Sequence, residues 1–240
     1  MENKFKAMYV TGDIHGRLDR ITNFIKRYDL NSEDYAIVVL GDMGIYWNNN
    51  GWDAQWIIRN YEADYKCHIF FIDGNHENFN LLNKVPIFNG IGAVSPHIHY
   101  LPRGFIFEPI VNNIKLRILC CGGADSVDKV WREEGKSWWP QEAISKTDVS
   151  EEVFTYCFDY VFTHCCGYDT FKKYKSILIS HNGLKDTGDH NSEKVLQSIL
   201  DKTKYSKHLF GHYHVNCKLN EKERCLYEDF IDILDEYPAI

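Results

Sequence analysis

The sequence predicts a layered α/β protein, and three features of the chain support this class. Apolar runs with strand character alternate with segments whose apolar residues recur at helical spacing. Several runs are continuous rather than alternating, which is typical of strands buried in a sheet. An Asp, Asn or His stands just after five of the runs, where open α/β sheets place their ligand sites.

The first third of the chain contains three predicted strand-loop-helix units. The strands are residues 6–11, 35–40 and 68–72. Apolar residues at helical spacing follow each strand, at residues 18–25, 52–59 and 81–82. This alternation implies helices packed on a sheet.

The middle third is more irregular, because prolines at 86, 96, 102 and 109 interrupt it. Residues 97–101 and 105–107 are predicted to be hairpins or edge strands, and residues 114–121 another strand. Paired glycines follow at 122 and 123, and residues 131–142 form an aromatic insert of mixed charge.

In the last third, the apolar runs 160–163 and 177–180 each end in a histidine. Ser192 is predicted to cap an amphipathic helix over residues 192–200, which leads to a strand at residues 207–210. The tail, residues 226–234, is predicted to be a last strand or a C-terminal helix.

Composition narrows the class of protein. A length of 240 residues is compatible with one domain over residues 1–240, and no apolar run approaches the roughly 20 residues that span a bilayer. No signal peptide precedes the first strand, so we expect a cytoplasmic location, no membrane partner, and free thiols at the eight cysteines. The net charge of -7 disfavours nucleic acid as a partner, although bound cations would still let an acidic protein accept a phosphate.

The five polar motifs have the composition of a metal site. Carboxylate oxygens and imidazole nitrogens are ligands for first-row divalent cations. The candidates are Asp13, His15, Asp42, Asn75, His76, His212 and His214, together with either His164 or His181. Because each follows a strand, their loops can converge on one point.

Taken in order, these motifs resemble the metallophosphoesterase family, also called calcineurin-like phosphoesterases. Residues 122–128, Arg132 and residues 137–142 further resemble a bacterial and phage-associated branch, so the resemblance covers nearly the whole chain. It implies a four-layer α/β/β/α sandwich. It also favours His164 over His181, because the family leaves a long segment with an Asp and a helix before its Gly-His-x-His motif.

The resemblance implies a two-metal hydrolase acting on a phosphate ester. The first metal would be bound by Asp13, His15 and His214. The second would be bound by Asn75, His164 and His212, with Asp42 bridging the pair. Manganese is the favoured metal, with iron, zinc or cobalt as alternatives.

In this family a hydroxide held between the two metals attacks phosphorus. His76 would stabilise the phosphate and protonate the leaving oxygen, and Arg17 is a further candidate for contact with phosphate oxygens. The partner of His76 is not identified, because residues 41–46 lack the further Asp and the Arg-Gly that Ser/Thr protein phosphatases carry.

Several alternatives stay open at this point. A phosphomonoesterase is favoured over a phosphodiesterase or nuclease acting on cyclic nucleotides or nucleic acid, because the chain lacks a basic track. The competing class is a non-catalytic protein-binding scaffold with the same fold. Several aromatic residues are either packed caps or walls of the substrate cleft, namely Tyr46, Trp47, Trp52, Trp138 and Trp139. The substrate and the oligomeric state are not predicted.

Overall fold

The computed structural model describes residues 3–47, 52–179, 188 and 190–236. The strands in chain order are β1 (Lys4–Phe5), β2 (Ala7–Thr11), β3 (Tyr35–Val39), β4 (His68–Phe71), β5 (Ile87–Phe88), β6 (Ile91–Ala93), β7 (Ile98–Tyr100), β8 (Ile106–Phe107), β9 (Ile110–Val111), β10 (Ile114–Lys115), β11 (Ile118–Cys121), β12 (Cys157–Thr163), β13 (Lys204–Phe210), β14 (Cys217–Lys218), β15 (Glu223–Cys225) and β16 (Ile231–Asp232). The α-helices are α1 (Leu18–Tyr28), α2 (Trp52–Asp64), α3 (Phe79–Leu82), α4 (Tyr168–Leu178) and α5 (Asn191–Leu200). Short 3-10 turns occupy Lys129–Trp131, Pro140–Glu142, Lys146–Asp148, Glu151–Thr155 and Ile233–Glu236.

Two large sheets form the centre of the fold. The first has the strand order β16-β2-β3-β4-β7-β6-β5, and its central pairs from β2 to β7 are parallel. The second has the order β14-β15-β13-β12-β11-β8, and its pairs from β11 to β15 are parallel. A small third sheet joins β1, β9 and β10. Parallel pairing sends the carboxyl ends of neighbouring strands to the same edge of each sheet.

Side-chain alternation along the strands places the two sheets face to face. In β3, Ile37 and Val39 pack in the core beneath the helices, whereas Ala36 and Val38 pack in the core between the sheets. The period of two residues along a strand requires this division. In the second sheet, β11 shows the same pattern, with Ile118 in the core between the sheets and residues 119 and 121 on the opposite face.

Helices cover the outer face of each sheet. Helix α1 buries Leu18, Ile21 and Ile25, spaced three and four residues apart, in the core of the first sheet. Helix α5 buries Leu196 and residues 199–200 against the second sheet. The layers therefore run helix, sheet, sheet, helix, and the predicted α/β/β/α sandwich is confirmed. Over the described residues, no helix is both long and apolar enough to cross a membrane.

Most predicted elements are present, with four differences. The strand predicted at residues 114–121 is two strands, β10 and β11, which belong to different sheets. Residues 97–101 contain β7, which pairs within a hairpin as predicted but lies inside the first sheet rather than at its edge. The tail contains both a short strand, β16, and a 3-10 turn. All eight cysteines are free, as predicted.

The fourth difference concerns the start of α5. Ser192 does not cap this helix, because it is already the second helical residue. Its hydroxyl instead accepts a hydrogen bond from the amide of Ile144 at 3.2 Å. The Ser192 amide, one of the unpaired donors at a helix start, donates to Oδ2 of Asp125 at 2.7 Å. The capping carboxylate therefore comes from a distant segment, which a local pattern does not reveal.

Candidate metal centre

Five loops carry the predicted ligands, and each follows the carboxyl end of a parallel strand. The loops after β2, β3 and β4 come from the first sheet, and those after β12 and β13 come from the second. Because the sheets face each other, these loops meet at one edge of the sandwich. They bring together Asp13, His15, Asp42, Asn75, His76, His164, His212 and His214.

The carboxylates and imidazoles form three overlapping groups, within each of which the ligand atoms lie no more than 4.8 Å apart. The groups are Asp13, His15 and His214, then His15, Asp42 and His76, then Asp13, Asp42 and His164. Nε2 of His214 lies 2.9 Å from Nε2 of His15 and 3.0 Å from Oδ2 of Asp13. Asp13, His15 and Asp42 each belong to two groups, so the three groups form one continuous cluster.

His164 connects the two sheets within this cluster. Its Nε2 lies 3.4 Å from Oδ1 of Asp42 and 3.1 Å from Oδ1 of Asn75. Its Nδ1 lies 2.7 Å from the carbonyl oxygen of Leu40, which fixes the orientation of the ring. The ring of His212 lies 5.0 Å from that of His164, between centroids, but His212 belongs to none of the three groups.

Backbone strain is concentrated at the predicted ligands. Of the eight described non-glycine residues with positive φ, four are predicted ligands: His15 (50°), Asp42 (49°), His212 (68°) and His214 (49°). A side chain in this left-handed region costs on the order of 1 kcal/mol or more, and such strain persists where surrounding contacts impose it. The loops are therefore held in their conformations by the packing around them.

The cluster concentrates buried charge. Complete burial opposes the ionised form of Asp42 and Asp13, yet the adjacent His164 holds the pKa of both carboxyls below the ordinary value. Burial also opposes a charge on His164, but Asp42 and Asp13 together raise its pKa to about 10. Burial lowers the pKa of His212 to about 3, so this imidazole is neutral. Two ionised carboxylates and a neutral imidazole form a donor set that fits divalent cations.

The backbone at Gly211 lies close to the buried carboxylate of Asp13. A Cβ atom at Gly211 would lie 2.4 Å from Oδ1 of Asp13, so no larger residue fits there without displacement. The same oxygen accepts a hydrogen bond from the amide of His212 at 2.9 Å. The glycine of the last motif therefore makes room for a ligand of the first.

His76 belongs to the second of the three groups and also lines the pocket. Its ring centroid lies 4.9 Å from that of His15 and 4.7 Å from that of Trp47. Nη2 of Arg132 lies 3.0 Å from Nε2 of His76. Because a guanidinium can only donate, Nε2 accepts this hydrogen bond and carries no proton in this arrangement. Among the described residues, Arg132 is a hydrogen-bond partner of His76.

The segment after β11 also contacts Asn75. Nδ2 of Asn75 donates to Oγ of Ser126 at 3.2 Å, which leaves Oδ1 of the amide facing His164. The Ser126 hydroxyl donates to Oε2 of Glu142 at 2.8 Å, and its amide donates to Oε1 at 2.6 Å. Sequence reasoning assigned no role to Ser126 or Glu142. The available signal for a role of these two residues was the presence of polar side chains among the aromatic residues of the segment 126–142.

Two further candidate residues of the predicted site were Arg17 and His181. Arg17 forms an exposed ion pair with Asp19 at 3.1 Å and lines a depression that is separate from the cluster. His181, the alternative to His164, lies outside the described residues, and so does Ser180. Of the run before His181, Ile177 and Leu178 complete α4 rather than a strand.

The predicted aromatic residues pack around the site. Trp139 is 2% exposed and packs in the core of the first sheet, with Tyr46 packed against that core. Trp47 packs behind His76 and Arg132, which line the cavity. The Lys129 ammonium lies over the ring of Trp138, 5.9 Å from the ring centroid. The side chain of Trp52 lies outside the description.

The cluster opens into a cavity of about 220 Å³. Its lining is Asp42, Asn75, His76, Val127, Asp128, Arg132, His212 and His214. Five of these residues come from the predicted motifs and three from the segment after β11. The cavity therefore joins the predicted ligands to a second, unassigned wall.

The family model for calcineurin-like phosphoesterases matches residues 8–216 of the chain. This match covers most of the sequence, so the chain belongs to the calcineurin-like phosphoesterase family, as the resemblance predicted. Membership makes it a metal-dependent phosphoester hydrolase in general, with a phosphate ester as substrate. No curated protein matches the chain by sequence. The bacterial and phage-associated branch stays a prediction.

Proposed function

We propose that this protein is a phosphomonoesterase with a binuclear metal centre. The observation that carries the proposal is the overlap of the three groups of ligand atoms, in which Asp42 has neighbours on both sides. One cation would leave either His15 or His164 without a role, whereas two cations that share Asp42 use both. Paired cations suit displacement at phosphorus, because both the attacking and the leaving oxygen carry negative charge.

The proposed ligand assignment follows the two sides of the cluster. Asp13, His15 and His214 would hold the first cation, and their contacts of 2.9 and 3.0 Å support this set. Asn75, His164 and His212 would hold the second, with Asp42 bridging. The contact of 3.1 Å between Asn75 and His164 supports that set, and His212 is its most distant member.

The metals would activate a water molecule and neutralise charge on the phosphoryl oxygens. The protein's own contribution at the leaving group is assigned to His76. Its imidazole lines the cavity and reaches the position beside Asp42. In this proposal the imidazole of His76 protonates the leaving oxygen, which requires that Nε2 first be released from its hydrogen bond with Arg132.

Manganese is the metal we propose, because a mixed set of carboxylate, amide and imidazole donors suits it and cellular availability decides among the alternatives. A monoester is favoured over a diester by the small cavity, about 220 Å³, and by the net charge of -7, which gives no basic track for a nucleic-acid backbone. A non-catalytic scaffold is disfavoured, because all eight predicted side chains converge on one site.

The test compares two aryl esters after metal has been stripped with a chelator and Mn²⁺ restored. We expect hydrolysis of 4-nitrophenyl phosphate to return with the metal and to exceed that of the bis-aryl diester. Asp42→Asn should lower kcat/KM by about 1000-fold, because it weakens both proposed cation sites. The exposed Asp169→Asn, with the same chemical change at a surface ion pair, should retain activity.

Three results would count against parts of this proposal. Full activity in Asp42→Asn would exclude the ligand assignment. Better turnover of the diester would exclude the monoesterase preference. An absence of hydrolysis with manganese, iron, zinc and cobalt alike would favour the scaffold.

A further inference from the structure

One wall of the cavity comes from residues 126–142, and the roles proposed above leave it unused. The first turn of this segment supplies Val127, Asp128 and Arg132 to the lining. Arg132 is the sole Arg or Lys among the described lining residues. Its side chain is 8% exposed, so its charge lies largely out of bulk water and close to the cluster. A buried cation beside a phosphate site calls for a functional reason.

Contacts around Arg132 hold its guanidinium in place. Nη2 lies 2.7 Å from Oδ1 of Asp128, and Nη1 donates to Oγ of Ser126 at 3.1 Å. The guanidinium carbon lies 5.3 Å from the centre of the Trp47 ring, within range of a cation-π contact. The group is therefore positioned in advance, and little side-chain entropy is lost when a ligand binds.

Arg132 has two further contacts, a long one of 3.5 Å between Nη1 and the carbonyl oxygen of Ser137, and a weak one with His76 that a phosphate can replace. Nη2 donates to Nε2 of His76 at 3.0 Å, which is a neutral acceptor. Charged oxygen acceptors form hydrogen bonds with guanidinium groups that are roughly twice as strong as neutral ones. A phosphoryl oxygen in the cavity would therefore attract Nη2 away from His76.

We propose that Arg132 binds a terminal oxygen of the substrate's phosphoryl group and thereby makes the site selective for phosphomonoesters. This inference rests on the proposed function and names the residue that determines its substrate class. A monoester has three terminal oxygens and a diester has two. Once two oxygens face the Asp and His cluster, only the monoester has a third for Arg132. The monoester dianion also gains more from a buried positive charge than the diester monoanion does.

The experiment compares Arg132→Gln with Arg27→Gln, an equal loss of charge at an exposed residue outside the cavity. For Arg132→Gln with manganese present, we expect kcat/KM for 4-nitrophenyl phosphate to fall by about 100-fold. Hydrolysis of the bis-aryl diester should fall by no more than about 5-fold, because it offers no third oxygen. Arg132→Lys should recover part of the monoester activity, since an ammonium supplies charge without the planar fork.

A binding measurement separates this inference from the proposed function. Calorimetric titration of the manganese-loaded protein with inorganic phosphate should show at least about 10-fold weaker binding for Arg132→Gln than for the wild type and Arg27→Gln. If the wild type hydrolyses neither ester, the proposed function is wrong, and phosphate binding still decides the role of Arg132. Equal losses on both esters, or unchanged phosphate binding, would overturn the inference. If Arg132→Gln does not fold, Arg132→Lys decides through the same ratio of the two esters.

Discussion

A Cβ atom at Gly74 would lie 2.1 Å from Oδ1 of Asp42. The same oxygen accepts a hydrogen bond from the amide of His76 at 2.7 Å. The loop after β4 thus wraps around the carboxylate that follows β3, and the glycine is what permits the approach. This contact couples the position of the proposed bridging ligand to that of the loop carrying Asn75 and His76.

Replacing Gly74 with alanine should therefore disable the centre. The added methyl group must displace either the buried carboxylate or the loop, and a displacement of about 1 Å at a catalytic site costs on the order of 100-fold in rate. We expect kcat to fall by about this factor, together with weaker Mn²⁺ binding in calorimetric titration. Gly135→Ala is the control: its Cβ would meet no atom within 4 Å, and its φ of 76° adds only backbone strain, so this variant should lose some stability but keep its activity. Equal losses in the two variants would contradict the prediction.

Ser126→Ala should weaken metal binding without disturbing the fold. The hydroxyl holds the amide of Asn75 so that Oδ1 faces His164. Loss of a group that orients a ligand typically weakens metal affinity by about 10-fold or more. We expect that change at one of two sites in a Mn²⁺ titration, together with a loss of about 1–3 kcal/mol in the free energy of unfolding, because buried groups of Asn75 and Glu142 lose a hydrogen-bond partner.

Ser137→Ala provides the matched control for Ser126→Ala. Its hydroxyl lies in the same segment but accepts a hydrogen bond from the amide of Glu133, away from the cluster. Metal affinity should be unchanged in this variant. Similar weakening in both variants would mean that the segment acts through its fold rather than through Asn75.

Arg103→Met should destabilise the protein strongly. Nη2 of Arg103 lies 2.6 Å from Oδ2 of the fully buried Asp73, just before Gly74, and its Nη1 lies 3.0 Å from Asp148. Removing one member of a buried ion pair leaves the other charge uncompensated, at a cost of about 3–5 kcal/mol. Urea denaturation should show this loss in the free energy of unfolding.

Two further variants check the origin of that loss. Lys115→Met breaks an exposed pair with Glu108, so it should cost less than about 1 kcal/mol. Adding Asp73→Asn to Arg103→Met should recover part of the stability, because the uncompensated charge disappears. No recovery in the double variant would exclude the buried charge as the cause.

Glu223 should make stability depend on acid pH. Burial opposes its charge, but the nearby imidazole of His208, 3.7 Å away, and a hydrogen bond from Thr170 lower its pKa from 4.5 to about 2. A carboxyl with a lowered pKa stabilises the fold above the unfolded value, and this contribution is lost as pH falls from about 4.5 toward 2. After allowance for solvent screening, Glu223→Gln should lose on the order of 2 kcal/mol at neutral pH.

Denaturation between pH 2 and 7 measures this effect. The wild type and Glu223→Gln should converge in stability toward the acid end and differ most at neutral pH. Glu221→Gln, at a fully exposed residue two positions away, should follow the wild-type curve. A constant difference at all pH values would show that packing, not ionisation, is responsible. The contacts of Glu223 also reach the candidate site, because the neighbouring His208 is hydrogen-bonded through Nε2 to the hydroxyl of Thr163, the residue before His164.

Much of the site could be predicted because its ligands follow strands in short, local motifs. The Asp and His at residues 13 and 15 are separated by one residue, and their place after an apolar run predicts a strand end. The start of α5 was not predictable in the same way. Its cap is Asp125, which is 67 positions from Ser192, and nothing in the local pattern marks such a partner.

The sequence by itself determined the layered class, the five motifs and the family. The hydrophobic period of helices and strands and the spacing within each motif are properties of a few neighbouring residues. Only the tertiary structure decided which wall faces those motifs. Arg132 contacts His76 across 56 positions, and Ser126 contacts Asn75 across 51. Such contacts depend on how two sheets and an insert pack together, and packing is a property of the whole chain rather than of any segment.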